Sequence, residues 1–274
     1  MNVVLKNLIA LISEGAFGKE EIIEPMSQFK WNVLHELSIA EDVAPYVYKG
    51  LLRHDSESQY LVVPQGEEES GCNISDNGRE KFSKALFNEL DNIRTDFDIT
   101  DIESQQLTYA LKKYLLKDIV YKERHSIDTS KISLDFLSLI LQNTNIILRK
   151  GIRLRGIVEI GIFLRTKGQY IDFVKVENWI SRLKLRRMAS LQASVLTSCF
   201  AFERDEFQYV RKFEKRAEKL TISSLTRVMK AQKRERQSGR YSIANCWRYY
   251  RYAPSEAFFK ALYIMLKGLS EIEE

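Results

Sequence analysis

The chain has 274 residues, of which 45 % are hydrophobic and 29 % charged, with 42 Lys+Arg against 37 Asp+Glu. Its 12 Gly and 4 Pro carry no biased tract, which excludes a collagen, a mucin-like stalk and long disorder. No run approaches the roughly 18 apolar residues of a membrane span. Cys72, Cys199 and Cys246 are odd in number and far apart, which argues against a disulfide framework and for a reducing, cytoplasmic compartment.

The elements are read from the first residue. Lys6 interrupts the apolar start and no small-residue cleavage site follows, so the segment is read as a mature helix. Leu5, Leu8, Ile9 and Ile12 form its inner face. A second helix is predicted over Phe29 to Ile39. A third opens at Pro45, because Pro fits a first helical turn, and runs to about Arg53. Gln59 to Val63 is the one strand-like run, so at most one short hairpin is expected near 59–64. Pro64 to Asn77 reads as an acidic loop, and Gly78 to Ile93 as a helix. Thr100 and Glu103 have the spacing of a capping box that starts a helix ending near Arg124.

After a polar break over His125 to Ser130, Leu134, Leu137, Leu141 and Leu148 mark an apolar stripe that Gly151 ends. A helix over Leu154 to Thr166 stops at Gly168. Asp172 is the expected N-cap of a helix from Phe173 to Leu185. Ala189, Ala193 and Thr197 step by four along Arg187 to Phe202, as in a buried helix packed close to its neighbour. A long charged helix is predicted over Glu206 to Arg236, broken at Ser238 and Gly239. Helices over Ile243 to Tyr252 and Pro254 to Leu269 complete the chain. The fold class is all-α, a multi-helix globular bundle.

The charge is split. Residues 1–148 carry 15 Lys+Arg and 24 Asp+Glu, whereas 149–274 carry 27 and 13. An acidic helical half, 1–130, and a basic helical half, 131–274, are expected within one continuous globular unit. The asymmetry has two readings of equal weight: the basic half holds an anionic partner, or the acidic half covers it. The partner would be a protein, a nucleotide-sugar or a nucleic acid.

Little in the sequence points to catalysis. His35, His54 and His125 lack the spacing and cysteine company of a zinc site, and no metal or cofactor is expected. Asp96 and Asp98 have the Asp-x-Asp form that holds Mg²⁺ for nucleotidyl transfer when both lie on one face of a strand. The residues upstream, Ser83 to Phe87, are helical and lack the Gly-Ser turn that would hold phosphates. With Asp101 the pair therefore reads as carboxylates at the start of the Thr100 helix, where the dipole favours them. Two basic clusters remain as anion-binding candidates: Arg149, Lys150, Arg153 and Arg155, and Arg240, Arg248 and Arg251 with Lys233, Arg234 and Arg236 just before. Trp247, Tyr249 and Tyr250 are candidate aromatic platforms, since rings stack on bases and sugars beside arginine donors. The competing reading places the Tyr and Trp rings in the core, with the arginines snorkelling around them, since Trp247, Tyr250 and Arg251 are spaced i, i+3 and i+4.

Three stretches carry a family resemblance: Trp31, Leu34 and Leu37 through Pro45 to Gly50-Leu51; Gly151-Ile-Arg-Leu-Arg155 with Trp179 and Arg187-Met-Ala; and Arg251-Tyr-Ala-Pro-Ser-Glu-Ala257. They resemble the helical flanks of an uncharacterised bacterial nucleotidyltransferase family often encoded with surface-polysaccharide biosynthesis. The interval from Leu52 to Leu148 lacks that family's Gly-Ser turn and Asp-x-Asp strand in register. The resemblance thus implies a core-less relative: a non-enzymatic, cytoplasmic binding or adaptor protein linked to polysaccharide production. The alternative is a divergent Mg-dependent nucleotidyltransferase using Asp96 and Asp98.

Overall fold

A computed structural model describes residues 2–57, 107–108, 110–231 and 239–270. Among these there are eleven α-helices and no strand, so the chain is all-α. The expected hairpin near 59–64, the acidic loop, Asp96, Asp98, Asp101, the capping box and Cys72 lie outside the described residues. The chain divides into two units, Met1–Phe97 with Leu225–Met229, and Asp98–Ser224 with Lys230–Glu274.

The first unit is built on α1 (Val3–Phe17), α2 (Gln28–Ala40) and α3 (Ala44–Glu57). Asn2 caps α1 by accepting from the Val4 N–H. Leu5, Leu8, Ile9 and Ile12 are all buried, as their spacing requires. Pro45 sits in the first turn of α3, where its missing N–H costs nothing. Buried Asn7 holds the link to α2 by a reciprocal pair: its amide donates to the Glu24 carbonyl (2.7 Å) and its side-chain oxygen accepts the Glu24 N–H (3.0 Å). The Arg53 guanidinium donates to the Glu14 carbonyl at 2.7 Å, tying α3 to the end of α1.

The second unit holds α4 (Ala110–Arg124), α5 (Lys131–Lys150), α6 (Leu154–Lys167), α7 (Phe173–Arg182) and α8 (Arg186–Cys199). Most of α9 (Ala217–Ala231), α10 (Gly239–Tyr249) and α11 (Pro254–Ser270) completes it. The central helix is α5, which packs on α6, α7, α8 and α10. Its apolar stripe is buried from Leu134 to Leu148. Within this core Gln192 donates to the Ile140 carbonyl (3.3 Å) and to the Thr144 hydroxyl (3.0 Å), which ties α8 to α5.

Gly151 ends α5 with φ +88°, a conformation open to glycine and strained for other residues. A Cβ there would also lie 2.5 Å from the Ser224 hydroxyl. The Gly-Ile-x-Leu-Arg element therefore has a local structural reason for its glycine. Asp172 caps α7 by accepting the Lys175 N–H at 3.0 Å, as predicted.

Two elements depart from the sequence reading. The helix expected from Thr100 to Arg124 is not continuous: Leu107 and Thr108 are not helical, and α4 covers Ala110–Arg124. No helix runs from Glu206; residues 204–216 form a 3-10 turn and irregular chain, and α9 begins only at Ala217. The cause is aromatic. Phe207 and Tyr209 are only two residues apart, yet both are buried. Positions i and i+2 lie about 200° apart around a helix and could not both face one core. Tyr209 lies against Phe136 (ring centroids 5.4 Å, edge-on) and parallel to Phe173 (6.1 Å), so this segment is anchored by its rings.

Candidate functional site

Pulling residues 204–216 out of helix leaves a cavity of about 360 Å³. It lies between this segment, the start of α8 and the α10–α11 corner, all in the second unit. Its wall includes Arg186, Arg187, Arg211, Lys212 and Arg251, with Glu177 and Glu214 as the carboxylates.

Each part is fixed by local structure. The α7–α8 corner turns at Lys184, which has φ +53°, and the Leu185 N–H returns to the Ile180 carbonyl (2.9 Å). The helix then starts on two consecutive arginines, with Leu185 as N-cap and no capping side chain. Opposite, the Ser190 hydroxyl donates to the Lys212 carbonyl, and the Glu214 N–H donates to the Ser194 hydroxyl (2.7 Å). These bonds from one face of α8 hold Lys212 and Glu214 over it. Arg251 enters from the tight turn between α10 and α11, where the Tyr252 N–H bonds the Tyr249 carbonyl (2.9 Å).

The charges sort themselves. The Glu177 carboxylate is 2.7 Å from Arg211 and 3.7 Å from Arg186. Arg187 lies over the ring of Tyr252 (6.0 Å). Burial, and after it the nearby Glu214 carboxylate, raises the pKa of the Tyr252 phenol. No carboxylate among the described residues stands within ion-pair distance of Arg187, Lys212 or Arg251. Tyr209 is only 5 % exposed and its hydroxyl has no hydrogen-bond partner.

Among the described side chains of the anion-binding and aromatic candidates read from the sequence, Arg251 lines this cavity and the others do not. Arg149 and Lys150 are exposed on the last turn of α5; the Arg149 carbonyl accepts from Asn245 (3.2 Å) and the Leu148 carbonyl from the Cys246 thiol (3.3 Å). Those bonds seat the end of α5 against α10. Arg155 pairs with Glu159 one turn on, and Arg153 is half-buried at the N-cap of α6. Arg248 is exposed and donates to the Ser223 hydroxyl at 3.0 Å. The side chain of Arg240, and Lys233, Arg234 and Arg236, lie outside the described residues.

The aromatic platform divides. Trp247 (53 % exposed) and Tyr250 (41 %) face outward with ring centroids 5.7 Å apart, contrary to the reading that turned them into the core. Tyr249 is fully buried and takes no part in the exposed pair. The inward face of α10 is instead Asn245, Cys246 and Tyr249, which its packing on α5 and α11 explains.

No family model, curated protein or solved structure matches the chain. No helix of the described residues is long and apolar enough to cross a membrane.

Proposed function

We propose that this protein is a cytoplasmic, non-enzymatic helical binding module whose basic second half holds an anionic partner in the Arg187–Lys212–Arg251 cavity. One observation carries this reading: cations from α8, from the irregular 204–216 segment and from the α10–α11 corner converge on one cavity, and three of them have no carboxylate partner among the described residues. Uncompensated guanidinium groups in a concave wall are donors awaiting an anion, and their field is focused by the low-dielectric walls. The resemblance to nucleotidyltransferase flanks adds a setting, bacterial surface-polysaccharide production. Two of its stretches, around Arg187 and around Arg251, meet at this cavity.

Retention of the full chain on immobilised heparin at rising salt tests the reading. The wild type should elute late. Arg187→Glu with Arg251→Glu should lose most of that retention, because two cations become two anions in one wall. Arg149→Glu with Lys150→Glu should change it little. The opposite order would move the anion site to the end of α5. Equal elution of all three proteins in the void at low salt would end the proposal.

A further inference from the structure

Apart from the anion cavity, we propose that the outward face of α11 is the seam of a homodimer, in which Phe258, Leu262, Met265 and Leu266 pack against the same stripe of a second copy of this chain.

The helix is inverted, with its charges turned inward and its apolar residues outward. Glu256 is fully buried and accepts the Thr108 N–H at 3.0 Å. Lys260 is 8 % exposed and donates to Asn145 of α5 at 2.7 Å. By contrast, Phe258, Leu262, Tyr263, Met265 and Leu266 are between 41 % and 61 % exposed. Residues 256 and 260 are one turn apart on a shared face, so the two polar anchors fix the rotation of α11 about its axis. At about 100° per residue, Phe258, Leu262, Met265 and Leu266 fall on the other side. They cannot roll into the core without unseating a buried carboxylate and a buried amine from their hydrogen bonds. The apolar stripe is therefore a built surface of the folded unit.

Spacing, charge and area select a second copy as its occupant. The steps of four and then three from Phe258 to Leu262 to Met265 are those of a seam in which like helices interlock. A two-fold axis at Leu262, the middle of the stripe, sets the stripe against itself. Between Pro254 and Leu266 the only charged residues are Glu256 and Lys260, both buried, so two copies bring no like charge to the seam. The same fact sets this face apart from a helix lying on a lipid surface, which carries Lys and Arg along its outer edges. As to area, a side chain of this size buries about 150–250 Å² in full, so each of the five, near half exposed, leaves roughly 100 Å² open. Their sum, roughly 500 Å², is as large as the largest apolar patch of an ordinary monomer. Two such patches face to face remove roughly 1,000 Å² from water before any rim is counted, the size at which specific interfaces begin.

Light scattering of the full chain during size exclusion, over a range of loading concentrations, tests this. The wild type is expected at twice the 32.0 kDa of one chain. Leu262→Lys, and independently Leu266→Lys, should weaken the dimer about a hundredfold or more, because each sets two like charges in one apolar seam. These leucines are 41 % and 59 % exposed, so both variants should keep the helical circular dichroism of the wild type. Val174→Lys, at a 71 % exposed position on α7, adds the same charge outside the stripe and should remain dimeric. A wild type that is monomeric at every concentration would overturn the inference. So would a dimer that survives both α11 variants, or one lost equally in Val174→Lys. Co-sedimentation of a monomeric wild type with phosphatidylserine vesicles would give the face to lipid and overturn it as well.

Discussion

Gly50→Ala is expected to destabilise the first unit by about 3 kcal/mol or more, although alanine is the better helix former. Helices α1 and α3 touch through a reciprocal glycine contact. A Cβ on Gly50 would lie 2.1 Å from the Leu11 carbonyl oxygen, and one on Gly15 would lie 1.8 Å from that of Tyr46. The obstacles are backbone atoms, so no side chain can rotate away. The helices must separate, and the buried faces of Leu8, Leu11 and Ile12 on α1 and Val47 and Leu51 on α3 would lose packing together. Overpacking of this kind costs about 1–3 kcal/mol where side chains can yield, and more where they cannot. Removing a helical glycine returns about 1 kcal/mol at most, so the clash decides the sign. Gly168→Ala is the control: nothing lies within 4 Å of its Cβ, and its φ of −56° is open to alanine, so it should be neutral or slightly stabilising. Urea unfolding of both variants checks the pair. A Gly50→Ala midpoint equal to wild type would mean that α1 and α3 stand farther apart in solution.

Much of the fold was legible because helix signals are local. The Leu5–Ile12 face, Pro45 in the first turn of α3, the Asp172 cap and the stop at Gly151 each depend on residues within one or two turns. The cavity was hidden for the opposite reason. Its cations are separated in the chain from Arg186 to Arg251, and only the fold brings them together. Periodicity also misled at residues 204–216. Charged residues there mimic an exposed helix, and only the simultaneous burial of Phe207 and Tyr209 shows that the segment is not helical. Two aromatics two positions apart, Phe207 and Tyr209, were the signal in the sequence, and aromatic spacing was read only on α10. There, the choice between Trp247 and Tyr249 as the inward ring turned on contacts with α5 and α11, which no spacing within one helix reveals. Charge counting found the basic half without finding the site, since Arg155 is answered by Glu159 and Arg211 by Glu177.

Glu256→Gln should cost the second unit about 3 kcal/mol at pH 7 and recover part of that as pH rises to 9. Glu256 is fully buried on α11 and accepts the Thr108 N–H at 3.0 Å. Two buried lysines feel its charge. Lys112 is 2 % exposed with no hydrogen-bond partner on its ammonium, and Lys260 donates to Asn145 at 2.7 Å. Burial lowers the Lys112 pKa to about 8, with Glu256 opposing and Lys184 adding to the fall. Burial likewise lowers Lys260 to about 8; Arg149 adds to the fall, while Glu256 and Cys246 oppose it. Both folded values lie below the 10.5 of an unperturbed lysine. Between about pH 8 and 10.5 the unfolded chain therefore binds more protons than the fold, and stability rises with pH, on the order of 1 kcal/mol per unit for each lysine. The Cys199 thiol, pushed up to about 11 by burial, works against this above pH 9, so pH 8 to 9 is the clean window. Removing the carboxylate takes the opposing charge from two buried ammonium groups beyond ion-pair distance and weakens the Thr108 hydrogen bond, together a loss of about 3 kcal/mol. Each lysine would then titrate lower still, and the recovery with pH would begin earlier than in wild type. Lys112→Met removes one of those charges. Its addition to Glu256→Gln should restore part of the stability and flatten the pH dependence. Denaturation midpoints of the wild type, both single variants and the double variant at pH 7, 8 and 9 decide the matter. Strict additivity at every pH would mean that Glu256 and Lys112 do not sense each other, and that the buried amine is tolerated for a reason other than this carboxylate.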